Sequence, residues 1–194
     1  MDGHVIARST AYQTAFRVIA AVNACGEMDC RWPEGEDVAN AAESFKKRSS
    51  NDVIRKCVGD MDGLFIRRVR PKATETSEPS SFFSGHKKGF GMNFQVRCGV
   101  CLRASYILFL SDRTMNCPGS QNDRTAYKFS GFEELLKALP PGHYILGDAA
   151  NPPSDRVLVP FPGMSLSVSQ DAFNFYQSQG RMSIEQTYGI MVSR

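Results

Sequence analysis

Apolar positions recur at helical intervals near the start of the chain. Phe16, Ile19, Ala20 and Asn23 share one face, and Ser9 or Thr10 can cap the first turn, so residues 9–24 predict a helix that stops near Gly26. Trp32, Pro33 and Gly35 break the pattern. A second amphipathic helix is expected over residues 37–47, with Val38, Ala41, Ala42 and Phe45 inward and Lys46, Lys47 and Arg48 marking its end. From Cys57 the pattern changes to Val58, Leu64, Phe65 and Ile66, punctuated by Gly59 and Gly63, which predicts a strand closely approached by other backbone. Residues 73–81 are rich in Ser, Thr, Glu and Pro without periodicity and read as a flexible loop. Two β-prone runs, 90–101 and 105–110, predict an antiparallel hairpin. Residues 132–139 predict a helix stopped by Pro140 and Pro141. Residues 144–146 and 157–159 predict short strands, and a helical pattern closes the chain from Asp171 onward. Strands first, then helix, strand and helix, make a mixed α/β layer architecture the simplest solution, with no internal repeat.

Composition narrows the class. A chain of 194 residues with 42% hydrophobic content buries one substantial core, and one domain is the default. The formal charge of +3 is compatible with a polyanionic partner but short of the footprint of a dedicated nucleic-acid binder. The six cysteines (Cys25, Cys30, Cys57, Cys98, Cys101, Cys117) follow no secretory leader pattern and read as reduced intracellular thiols. No stretch reaches the roughly 18 uninterrupted apolar residues of a membrane span, since even residues 104–110 run into Ser111, Asp112 and Arg113, so the chain reads as soluble. Cys98 and Cys101 have the spacing of half a zinc site, but no second pair stands at a suitable distance, which favours two small buried thiols at a hairpin tip. His4, His86 and His143 are scattered, and no Ser-His-Asp or Cys-His arrangement is suggested.

The acidic residues carry the candidate chemistry. Asp62 interrupts an apolar strand beside Gly63, and a buried carboxylate requires a partner or a metal. Asp123 ends the turn-rich stretch Cys117-Pro118-Gly119-Ser120-Gln121-Asn122; it is either projected from the edge of a sheet or a helix cap. Asp148 ends an apolar strand, a place where α/β proteins put ligands, and is equally readable as a turn former. Glu185 follows Arg181 by four residues on a helix, the spacing of a surface ion pair. Divalent-metal nucleases need several such carboxylates, because Mg²⁺ prefers oxygen ligands and keeps waters that can be activated. Arg67, Arg68, Arg70 and Lys72, with His86, Lys87 and Lys88, are either DNA-phosphate contacts or a solvated basic edge that discourages strand pairing.

Gly59-Asp60-Met61-Asp62-Gly63, continued by residues 64–71 and by Gly85-His86-Lys87-Lys88-Gly89-Phe90, resembles the first catalytic block of the PIF/Harbinger transposases and their HARBI-like relatives, members of the DDE superfamily endonucleases. Pro118-Gly119-Ser120-Gln121-Asn122-Asp123 resembles the block of the second Asp, and residues 144–148 resemble the strand ending in Gly-Asp. Phe173-Asn174 followed by Arg181-Met182-Ser183-Ile184-Glu185-Gln186-Thr187-Tyr188-Gly189 resembles the signature around the catalytic Glu. The likeness spans roughly residues 39–194. It implies an RNase H-like fold, a mixed sheet flanked by helices, with a helical lead-in over 1–50, the remnant of a helix-turn-helix region, and an endonuclease domain over 51–194. It also implies a transposase shortened at both ends.

The activity implied is phosphodiester hydrolysis by two Mg²⁺ or Mn²⁺ ions held by Asp62, Asp123 and Glu185, with Asp148 as an auxiliary ligand. One ion activates water and the other, about 4 Å away, stabilises the leaving 3′-oxygen. DNA is the implied partner, contacted by Arg67, Arg68, Lys87 and Lys88; a separate DNA-binding protein fits the same picture, and a membrane does not. The implied location is nuclear, otherwise cytoplasmic. The chain departs from the family pattern at Gln121-Asn122, at Ala149-Ala150-Asn151 and over residues 175–179. These departures leave a second reading open, a domesticated or decayed transposase fragment that keeps the fold without cleavage.

Overall fold

The longest strand organises the molecule. In the computed structural model, which describes residues 8–24, 32–99, 104–107, 117–129 and 131–192, β1 runs over Cys57–Arg67, its first half buried and its last two residues exposed. It pairs antiparallel with β3 (Gly89–Cys98), and one edge of β3 carries both β2 (Phe83–Ser84) and β4 (Ala104–Ile107), again antiparallel. On its other edge β1 pairs parallel with β5 (Tyr144–Leu146), which pairs parallel with β6 (Val157–Leu158). The result is a mixed sheet in the order β2-β3-β1-β5-β6, with β4 also on β3.

The helices are α1 (Arg8–Ala24), α2 (Glu36–Arg48), α3 (Asp123–Phe129), α4 (Phe132–Lys137) and α5 (Val168–Val192). α1 ends two residues before the predicted stop at Gly26, which lies outside the described residues. It belongs to a unit of its own, Met1–Arg31, and the compact units divide between Arg31 and Trp32, so α2 is part of the larger one. In α2, Glu36 and Asp37 open the helix and Lys46, Lys47 and Arg48 close it, each charge matching the local end of the helix dipole. Val38 and Phe45 are its buried residues, as the apolar stripe requires.

Strand alternation sorts the core into two faces. Met61 sits opposite Arg97 on β3 and belongs with Val58, Trp32, Tyr127, Phe132, Leu136 and Ile145. Asp60 and Asp62 sit opposite Cys98 and Val96, which pack with Ile184 of α5. A third cluster joins Phe45, Ile54, Cys57 and Leu146 beneath α2.

The elements follow the predicted order with local differences. α5 begins at Val168 rather than Asp171, extended by Ser167, whose hydroxyl accepts the Gln170 N–H. α3 follows the turn-rich stretch, and the cap is Asn122 rather than Asp123: Asn122 Oδ1 accepts the Thr125 N–H and hydroxyl, both at 2.9 Å. Residues 73–81, read as a flexible loop, contain the start of a 3₁₀ turn at Pro79–Phe82 and are tied to the end of β1 by an Arg68–Glu75 ion pair. Cys57, Cys98 and Cys117 are buried free thiols; burial pushes Cys57 up and Cys98 up to about 12. Cys101, the other half of the candidate zinc pair, lies outside the described residues. Among the described residues no helix is long and apolar enough to cross a membrane.

Candidate active site

α5 lies across the face of the sheet that carries Asp60 and Asp62, held by a stripe of contacts at helical spacing. Gln177 Nε2 donates to the Gly147 carbonyl at 2.7 Å, at the end of β5. Gly180 rests against Leu146, where any Cβ would overlap that side chain. Ser183 Oγ and the Ile184 N–H both donate to Asp60 Oδ2 at 2.9 Å. One turn further on, the Tyr188 hydroxyl donates to the Asp62 carbonyl at 2.9 Å. A helix made of backbone-reaching polar groups and a glycine can sit this close to a sheet; bulkier side chains would hold it off.

Asp62 is partly withdrawn from water, its side chain 24% exposed. Its Oδ2 stands 3.5 Å from Nη2 of Arg181, itself only 16% exposed. Its Oδ1 accepts the Gly63 N–H at 2.8 Å. Glu185 is exposed. It follows Arg181 by four residues and precedes Tyr188 by three, so it shares a helix face with two residues that reach Asp62. The ion pair expected between Arg181 and Glu185 is not formed: Arg181 turns to β1, where Asp62 offers a less solvated partner.

Asp148 stands two residues beyond Leu146, the last residue of β5. Leu146 pairs with Asp60, so Asp148 follows that paired position by two residues, beyond the end of the β1–β5 pairing. Asp148 does form a turn: Oδ1 accepts the Ala150 and Asn151 N–H groups at 3.0 and 3.1 Å, and Asn151 Oδ1 returns a bond from the Asp148 N–H at 2.9 Å. These bonds use one carboxylate oxygen.

Asp123 opens α3, and its side chain lies outside the described residues, as does its expected approach to Asp62. α3 itself buries Tyr127 among Met61, Trp32 and Phe132, on the face opposite Asp62. The preceding turn is fastened to β3, with Gly119 N–H donating to the Gly91 carbonyl and Asn93 to the Gln121 carbonyl.

Sequence reasoning passed over Asp60. This residue is fully buried, and burial pushes its carboxyl up to about 7 against the opposing pull of the Ser183 and Ile184 hydrogen bonds. A signal was present in the Asp-x-Asp spacing, which puts two acids on one face of a strand. The four basic residues gather at the opposite end of β1. Arg67 Nη2 donates to the Lys87 carbonyl at 2.8 Å, Arg68 pairs with Glu75 and stands 5.3 Å from the centre of the Phe82 ring, and Lys87 and Lys88 are exposed in the turn between β2 and β3. Arg67 lies five residues from Asp62, about 16 Å along the strand.

Among the described residues no three His, Cys, Asp or Glu side chains gather closely enough to hold a metal ion. The donor chemistry nevertheless fits a hard cation, because Asp62, Asp148 and Glu185 offer only carboxylate oxygen, and Asp62 already attracts a positive group.

A long central strand with antiparallel neighbours on one side and parallel strands on the other, flanked by helices and bearing acids on one face, is an RNase H-like α/β architecture. Residues 61–194 match the family described as DDE superfamily endonuclease, and the chain belongs to that family. No curated protein and no solved structure matches it. The family gives a transposase-like nuclease acting on DNA, a class that depends on divalent metal.

Proposed function

We propose that the protein is a PIF/Harbinger-type endonuclease that hydrolyses DNA phosphodiester bonds with Asp62, Asp148 and Glu185 as its carboxylates. The observation that carries the reading is the meeting of Asp62 with α5, one helical turn from Glu185; Asp148 follows by two residues the β5 position that pairs with Asp60, which supports including it. Asp123 is a fourth acid; the packing of α3 on the other face is the reason for pairing Asp148 with Asp62 instead.

Bound Mg²⁺ or Mn²⁺ would supply Lewis-acid activation of water and positive charge for the leaving oxygen. The chain's own groups do the positioning. The Gly63 N–H orients Asp62, the Asp60 bonds to Ser183 and Ile184 fix the register of α5 and hence of Glu185, and Gln177 holds the backbone beside Asp148. Lys87, Lys88, Arg67 and Arg68 are proposed to hold the DNA backbone away from the cut, with a salt-dependent contribution to affinity.

Cleavage of supercoiled plasmid in Mn²⁺ tests the reading. Wild-type protein is expected to nick the plasmid, and Glu185→Gln to cut at least about 100-fold more slowly with an unchanged melting temperature, because the amide keeps the helix and loses the charge a hard cation prefers. An equally active Glu185→Gln protein removes Glu185 from the site. Wild-type protein that never cuts favours the fragment that keeps the fold without cleavage.

A further inference from the structure

Asp62 holds a cation without any metal, and the way it does so is informative. The Arg181 contact at 3.5 Å is long, whereas an optimised arginine–carboxylate pair is bidentate at about 2.8 Å. Arg181 Nε is buried without a hydrogen-bond partner, so the guanidinium keeps an unused donor. Glu185, at the spacing that would normally capture Arg181, is left exposed while the arginine turns to the strand. Arg181 is also not what holds the helix down, because Gln177, Ser183, Ile184 and Tyr188 each bind the sheet through their own hydrogen bonds. The guanidinium can therefore leave Asp62 without α5 leaving the sheet.

We propose that Arg181 is the resident counter-ion of Asp62, which yields the carboxylate to an incoming divalent cation and then presents its guanidinium to a phosphodiester oxygen. The proposal rests on the metal-nuclease reading above. Its physical basis is charge: a guanidinium and a divalent ion on one partly desolvated carboxylate repel each other, so each weakens the other's hold. A planar fork of donors is also suited to a phosphate once released.

The test is Mn²⁺ binding to the full chain by calorimetry. Arg181→Gln is expected to bind Mn²⁺ about tenfold more tightly than wild type, the factor equivalent to about 1.4 kcal/mol of relieved repulsion, and Arg181→Lys to stay near wild type. Equal or weaker binding by Arg181→Gln overturns the proposal, as does absence of binding in both proteins. Should Arg181→Gln fail to fold, wild type alone decides: the Arg181 Nε–H resonance is expected to move and exchange faster on saturation with Mg²⁺, and an unchanged resonance overturns the displacement. Plasmid cleavage separates the two readings. Wild type that cuts, with no tighter metal binding in Arg181→Gln, removes the counter-ion role and keeps the nuclease; tighter binding without any wild-type cleavage does the reverse.

Discussion

On one face of the sheet Met61 lies among Trp32, Tyr127, Phe132, Leu136 and Ile145; on the other, its neighbours Asp60 and Asp62 meet Ser183, Ile184, Arg181 and Tyr188. The first face is held by area removed from water and by ring packing, with Trp32 edge-on to Phe132 at 5.8 Å and Tyr127 stacked on it at 6.3 Å. Its buried cation, Arg97, donates to the Val58 carbonyl and lies 5.3 Å from the centre of the Trp32 ring; burial lowers it to about 10. The second face joins a smaller apolar cluster of Val96, Cys98 and Ile184 to a few directional bonds from α5 to a strand bearing two acids. The difference teaches that one strand can pack a core on one side and hold acids in polar contacts on the other. Met61 packs into the apolar core, while Asp60 and Asp62 beside it make polar contacts to α5.

Three substitutions would break or sharpen that contrast. The largest effect is expected from Phe132→Ala on the apolar face, a loss of about 3–5 kcal/mol in urea denaturation for a fully buried ring. The loss should be the same with and without Mn²⁺. A loss below about 1 kcal/mol would mean that this face is not the main source of stability.

Asp60→Asn comes next and carries a definite sign. The folded protein holds the Asp60 proton more tightly than the unfolded chain does. Stability from this group is therefore fully present below its ordinary value of 3.8 and lost as pH rises through about 7. The ionisable groups that feel its charge are Cys57 on β1, Arg97 and Cys98 on β3, and Arg181 and Tyr188 on α5. Asn keeps an acceptor for Ser183 and Ile184 and removes the charge. The variant should gain on wild type between about pH 4 and 7, by at most about 4 kcal/mol. Melting in EDTA across that range is the check, and a difference that does not change with pH would refute the assignment. Tyr188→Phe is expected to be smallest, about 1 kcal/mol for one hydrogen bond to the Asp62 carbonyl. A loss as large as that of Phe132→Ala in the same denaturation would show that the polar face also carries stability.

Much of this was legible in the residues. Val38, Ala41, Ala42 and Phe45 announce α2, the run from Cys57 announces β1, and Gly147-Asp148 marks the end of β5, because local periodicity records which side of an element avoids water. Asp62 stood out because a carboxylate in an apolar strand demands a partner. The identity of that partner was not legible. Helix spacing pointed from Glu185 to Arg181, and the arginine instead crosses to β1, since Gly180 lets α5 close on Leu146 and brings a less solvated acid within reach. Asp60 was hidden for the same reason: its burial depends on Ser183 and the Ile184 N–H, which descend on it from 123 and 124 residues away.

The sequence by itself determined which residues form strands and helices and which acids are out of place in them, because those properties depend on neighbours a few positions apart. The tertiary structure alone decided which face each acid shares, with which helix and against which cation. Those pairings depend on the β1–β3 and β1–β5 registers and on the close approach of α5, and a shift of a single residue in either register would send Asp60 and Asp62 to the opposite face.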